Sequence, residues 1–83
     1  MDKAKQSASD LQKTIAETSV SAEQQQSLDE LSQHIDLFQA DPEAHHLSFR
    51  QRLEQSLAEF GAEHQALNDA IQVVLSDLSN AGV

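Results

Sequence analysis

The chain carries one proline, Pro42, and only two glycines, Gly61 and Gly82, in 83 residues. Between these few breakers, apolar residues recur at spacings of three and four. Nowhere do Val, Ile and Thr alternate in the fashion of a strand. A chain patterned this way can bury its apolar stripes only helix against helix. The expected fold is all-α: a helical hairpin or small bundle of three to four helices, in a single domain over residues 1–83. The spacing predicts helices over about 3–18, 22–40, 48–60 and 65–79.

In the first segment Ala4, Ala8, Leu11 and Ile15 form a thin stripe. Two of the four are alanine, so this helix is expected to bury little. In the second, Leu28, Leu31, Ile35 and Phe38 are the buried positions. Ser21 followed by Gln24 fits a capping box, in which each side chain bonds the other's backbone N–H. Pro42 disfavours helical geometry at Asp41 and so ends that helix. The stretch 41–47, Asp41-Pro42-Glu43-Ala44-His45-His46-Leu47, reads as the inter-helix linker, with Ser48 the candidate cap of the third helix. The face of that helix is Phe49, Leu53, Leu57 and Phe60, and Gly61 is its stop.

In the fourth segment Leu67, Ile71, Val74 and Leu78 repeat at four, three and four. Ala66, Ala70, Val73 and Leu75 widen the apolar arc to about 200°, more than one neighbouring helix covers. The same rhythm runs from Leu53 through Leu57, Phe60, His64 and Leu67 to Leu78 without a slip at Gly61. One glycine inside a helix costs only ~1 kcal/mol. The last two helices are therefore compatible with one long kinked helix.

The C-terminal third resembles the domain of unknown function 4404 family of small bacterial proteins. The matching residues are Phe60, Glu63-His64, Leu67, Ile71 and the tail Leu78-Ser79-Asn80-Ala81-Gly82-Val83. That family reads Phe, then Glu-His-Pro-Thr-Leu after a few residues, and ends on an Asn-Met-Gly-Ile-like tail. This chain has Gln65 where the family has proline. Because proline favours the first position of a helix, the resemblance implies that a new helix starts near Gln65. It implies no activity, substrate or cofactor.

Composition narrows the function classes. There are 14 acidic against 5 basic residues, a formal net charge of -9. A phosphate backbone is gripped by Lys and Arg, so no nucleic-acid partner is expected. Anionic membrane surfaces are disfavoured for the same reason. The absence of Trp and Tyr removes the usual stacking platforms for bases. No cysteine is present, hence no disulfide or thiolate chemistry. The opening residues lack the apolar run of a signal peptide, and a cytoplasmic location is expected. The acidity is uneven: residues 21–49 hold six acids and no Lys or Arg, and beyond Arg52 no Lys or Arg occurs.

The histidines are the residues that invite a chemical reading. His45 and His46 lie beside Asp41 and Glu43, with His34 on the preceding helix, and imidazole with carboxylate is a metal-binding combination. Adjacent side chains point apart, however, and no two histidines stand one helical turn apart. The stretch reads as a solvated linker, with no metal and no cofactor. His64 sits at a seam position, where histidine offers a pH-sensitive contact, but reads more simply as a helix-start residue bonded to local backbone. Asp29-Glu30 reads as a solvated face, since acid–base work needs an enclosing pocket. Arg50 and Arg52 are expected to pair with Glu54 or with acids of the second helix.

These readings converge on a protein that is not an enzyme: a helical interaction or scaffold-like regulatory protein with an unknown protein partner. It is expected to self-associate as a homodimer through its C-terminal half, with Leu67, Ile71, Val74 and Leu78 as the interface. The alternative is an acidic decoy that occupies the basic groove of a nucleic-acid-binding protein.

Overall fold

A computed structural model describes residues 2–80. Met1 and the tail residues Ala81, Gly82 and Val83, the last three part of the family resemblance, lie outside them. Four helices follow one another: α1 (Asp2–Glu17), α2 (Ala22–Ala40), α3 (Pro42–Phe60) and α4 (Gln65–Asn80). Among the described residues there is no strand.

The connections are short: residues 18–21, the single residue Asp41, and residues 61–64. Such connections turn consecutive helices antiparallel, and bonds between helices show the register. Gln39 Nε2 on α2 donates to the Lys5 carbonyl on α1 at 2.7 Å. Ser27 Oγ on α2 donates to Glu59 on α3 at 3.1 Å. Arg50 on α3 donates to Ser79 Oγ on α4 at 3.1 Å. Helix α1 packs against α4 to close the ring. The result is an up-down-up-down four-helix bundle of 34 × 19 × 19 Å.

Each helix sends one stripe inward: Ala4, Ala8, Leu11 and Ile15 from α1, and Leu28, Leu31, Ile35 and Phe38 from α2. Phe49, Leu53 and Phe60 come from α3, and Leu67, Ile71, Val74 and Leu78 from α4. The alanines of α1 do more than thinness suggested. Ala4 and Ala8 are wholly buried, as is most of Ser7. Small side chains let two backbones approach closely, and α1 and α4 lie as tightly together as α2 and α3. Ser7 satisfies its hydroxyl by donating to the carbonyls of Lys3 and Ala4.

Local signals explain most boundaries. The capping box at the start of α2 is present: Gln24 N–H donates to Ser21 Oγ and Ser21 N–H to Gln24 Oε1, each at 3.2 Å. Helix α3, in contrast, begins at Pro42, not near Phe49. The expected linker over 41–47 shrinks to Asp41, and Ser48 is inside the helix, donating to the His45 carbonyl. Asp41 serves both helices. Its N–H donates to the Leu37 carbonyl, closing α2, and its carboxylate accepts from Ala44 N–H, opening α3. Proline at the first helical position loses nothing, because its missing N–H would have had no partner there.

The α3–α4 rhythm does not become one helix. The Phe60 carbonyl accepts from both Glu63 and His64 N–H, which turns the chain, and α4 restarts at Gln65. The α3 face also shifts by one residue from expectation: Ser56 is 1% exposed and takes the core position, whereas Leu57 is only partly buried.

Candidate interaction surface

The four residues expected to form an interface, Leu67, Ile71, Val74 and Leu78, are core residues of the single chain, none more than 2% exposed. The wide apolar arc is covered within the chain, because α4 sits between α1 and α3. Leu75 and Ala70, on the flanks of its buried stripe, are both partly buried against the core. Of the arc's large side chains, only Val73 remains substantially exposed, at 52%. Nothing of this stripe is left on the surface for a partner to touch.

The histidines also stay apart. His34 Nδ1 lies 2.9 Å from the Glu30 carbonyl and His46 Nδ1 lies 3.0 Å from the Glu43 carbonyl, each within its own helix. His45 is half-buried in the first turn of α3. Among the described residues no three His, Asp or Glu side chains converge as a metal ion requires. His64 serves the turn through its backbone: its N–H donates to Phe60 and its carbonyl accepts from Asn68. Its ring stands tilted over Phe60 at 6.1 Å between centroids. Of the two arginines, Arg52 pairs with Glu30 of α2 at 2.8 Å, whereas Arg50 reaches Ser79 and not an acid.

An open groove of about 210 Å³ lies between α1 and α4, lined by Lys3, Gln6, Ser7, Asp10, Val73 and Asp77. It is broad and shallow, with charges of both signs on its rim. No ionisable side chain among the described residues is buried.

Charge is what distinguishes the two ends of the bundle. The α1–α2 loop and the α3–α4 turn share one end. Glu17, Glu23, Glu59 and Glu63 are exposed there, and residues 17–24 and 59–65 include no Lys or Arg. The other end, where α1 starts and α2 meets α3, is mixed in charge: Lys3, Lys5 and Arg50 lie toward it together with Asp2, Asp41, Glu43 and Asp77. Sequence reading located the acidity in the middle and end of the chain. Only the antiparallel fold gathers Glu17 of α1, Glu23 of α2 and the α3–α4 turn into one cap.

Comparison with family models, with curated proteins and with solved structures returned no match for this chain. No helix among the described residues is long and apolar enough to cross a membrane.

Proposed function

We propose that the chain is a non-catalytic interaction module, a small helical scaffold of regulatory type that acts by contact with another protein. The observation that carries this reading is the division between inside and outside. Among the described residues every apolar stripe faces the core, no ionisable side chain is buried, and Leu37, Leu47 and Val73 are the large apolar side chains left exposed. A surface of this kind recognises partners by charge and shape. The reading includes a cytoplasmic setting and membership of the domain of unknown function 4404 family, the latter on the C-terminal residues quoted above.

The four-glutamate end favours a second, narrower reading within the same class: an acidic decoy that occupies a basic protein surface otherwise used for nucleic acid. Opposite charge accelerates and orients such an encounter, and salt screens it over a Debye length of roughly 8 Å near physiological ionic strength.

Affinity capture from the native host, eluted in steps of rising salt and read by mass spectrometry, tests both. The module reading expects a stoichiometric protein partner. The decoy reading expects that partner to be basic, to leave at moderate salt, and to be lost when Glu17, Glu23, Glu59 and Glu63 are changed together to Gln. A partner retained at molar salt and indifferent to those changes would remove the decoy reading. Turnover of a small molecule by the purified chain would remove the non-catalytic one.

A further inference from the structure

Two 19-residue helices meet at a single residue, Asp41, and their buried faces are in phase as though they were one helix. Leu28, Leu31, Ile35, Phe38, Pro42, His45 and Phe49 follow at three and four without a slip across the connection. Phe38 and Phe49, eleven residues apart, would fall within about 20° of one another around a straight helix. Pro42 and His45, the seam positions inside the connection, are both half-buried. A hairpin does not need this continuity, because each helix presents its stripe independently. Here the stripe would survive straightening.

The hinge also divides the bundle evenly. Helices α1 and α2 make one antiparallel hairpin, and α3 and α4 make the other. With Asp41 helical, α2 and α3 become one long helix carrying a hairpin at each end, and each hairpin lacks the half it packs against. A second copy in the same state supplies it. The α1–α2 hairpin of one copy and the α3–α4 hairpin of the other remake every core contact of the closed bundle. Leu67, Ile71, Val74 and Leu78 would then meet α1 of another chain.

What opposes this opening is local. Pro42 pushes Asp41 away from helical geometry. Within a continuous helix it would also forfeit a backbone bond and crowd the Phe38 carbonyl four residues back. A one-residue connection leaves no slack to relieve, a condition that invites exchange between copies.

We propose that the chain exchanges its α3–α4 half with a second copy, with Asp41–Pro42 as the hinge and Pro42 as the residue that keeps the closed monomer dominant. The proposal is separate from the acidic-surface reading, because the four glutamates keep their surroundings in both forms.

The test uses the full chain, refolded from denaturant at high and at low concentration and sized by light scattering. Wild type should give mostly monomer, with a minor dimer that grows with the refolding concentration. Pro42→Ala should raise the association constant at least about a hundredfold, as expected when each chain loses a helix-interior proline. Spin labels at Gln26→Cys and Ala58→Cys then report the route, since the chain has no other cysteine and both sites are exposed. Labelled chains are diluted with unlabelled ones, so that only distances within one chain are read. The closed bundle holds the two labels within a cross-section of 19 Å, whereas 32 residues of continuous helix separate them by ~48 Å. A dimer at the long distance supports exchange. A dimer at the short distance is a surface dimer and overturns it, as does a Pro42→Ala chain that stays monomeric at every refolding concentration. Should Pro42→Ala fail to fold, the labelled wild-type dimer decides by the same distance, and its absence overturns the proposal.

Discussion

Phe38 and Phe49 face each other across the α2–α3 hairpin, ring centroids 4.8 Å apart and planes tilted by 33°. Both rings are wholly buried, and together they hold the two helices side by side next to the Asp41 connection. Tilted pairs of this kind add roughly 0.5–1.5 kcal/mol to the burial of the rings.

Phe49→Ala should therefore cost about 3–5 kcal/mol, the range for emptying a buried aromatic site. A chain of this length has a total stability of roughly 4–12 kcal/mol, so the variant should be marginal or unfolded at 25 °C. Urea unfolding followed by circular dichroism measures it. A loss below about 1.5 kcal/mol would mean that the ring is not the core anchor described here.

The two capped helix starts make a matched pair. Ser21 accepts from Gln24 N–H at 3.2 Å and Asp41 accepts from Ala44 N–H at 3.3 Å, both on the surface. Replacing either by Ala should cost ~0.5–2 kcal/mol. The two sites share no partner, so the double variant should lose the sum within about 0.5 kcal/mol. Chemical denaturation of the three variants checks both the size and the additivity.

Gly61 offers a prediction of sign. Its backbone is ordinary right-handed helix, φ -60° and ψ -32°, so nothing in its conformation calls for glycine. On that ground Gly61→Ala should stabilise by ~0.4–1 kcal/mol. A Cβ there would, however, run into the Leu57 carbonyl oxygen, a backbone atom that cannot swing aside. We expect Gly61→Ala to destabilise, and a rise in the urea midpoint would contradict that.

Much of this architecture was legible in the spacing of apolar residues, and the failures share physical causes. The stripes of α2 and α4 read correctly because Leu28 to Phe38 and Leu67 to Leu78 are large and regularly placed. The start of α3 was missed because Asp41-Pro42 carries two messages. It forbids the continuation of one helix and, with an N-cap followed by proline at the first position, permits another at once. The first message alone predicts a loop over 41–47. Ser56 was missed because periodicity scores side-chain polarity, whereas the crowded position between helices selects for smallness. Leu67, Ile71, Val74 and Leu78 read as an interface when the arc of α4 is weighed against α3 and an alanine-rich α1 too thin to cover it. Alanine covers a neighbour by letting it come close, which no count of large side chains reveals. The acidic end depends on which loops share an end of the bundle, and that emerges only with the antiparallel order of all four helices.

The Arg52–Glu30 pair, at 2.8 Å, has an arginine side chain 20% exposed and a glutamate 47% exposed. Solvent reaches both partners, so the coupling should be small: below about 1 kcal/mol in a double-mutant cycle with Arg52→Met and Glu30→Gln. Added salt should reduce it further. A coupling of several kcal/mol that persisted in salt would require a dry contact that these exposures do not allow.

Val73 and Val74 are neighbours in sequence with opposite surroundings, 52% and 0% exposed. Aspartate at 74 would place a carboxylate in the apolar centre of the bundle, where an uncompensated charge and the lost valine are both destabilising. Removing the buried valine alone forfeits roughly 1.5–3 kcal/mol. Val74→Asp should therefore unfold the chain, with loss of its helical circular dichroism. Val73→Asp faces the open groove, one turn from Asp69 and Asp77, and should cost no more than about 1 kcal/mol from like-charge repulsion. The pair separates core from interface. If α4 used Val74 only to touch another molecule, Val74→Asp would leave a folded, helical monomer and merely abolish association. The bundle requires the opposite outcome: Val74→Asp loses the fold at any concentration, and Val73→Asp keeps it.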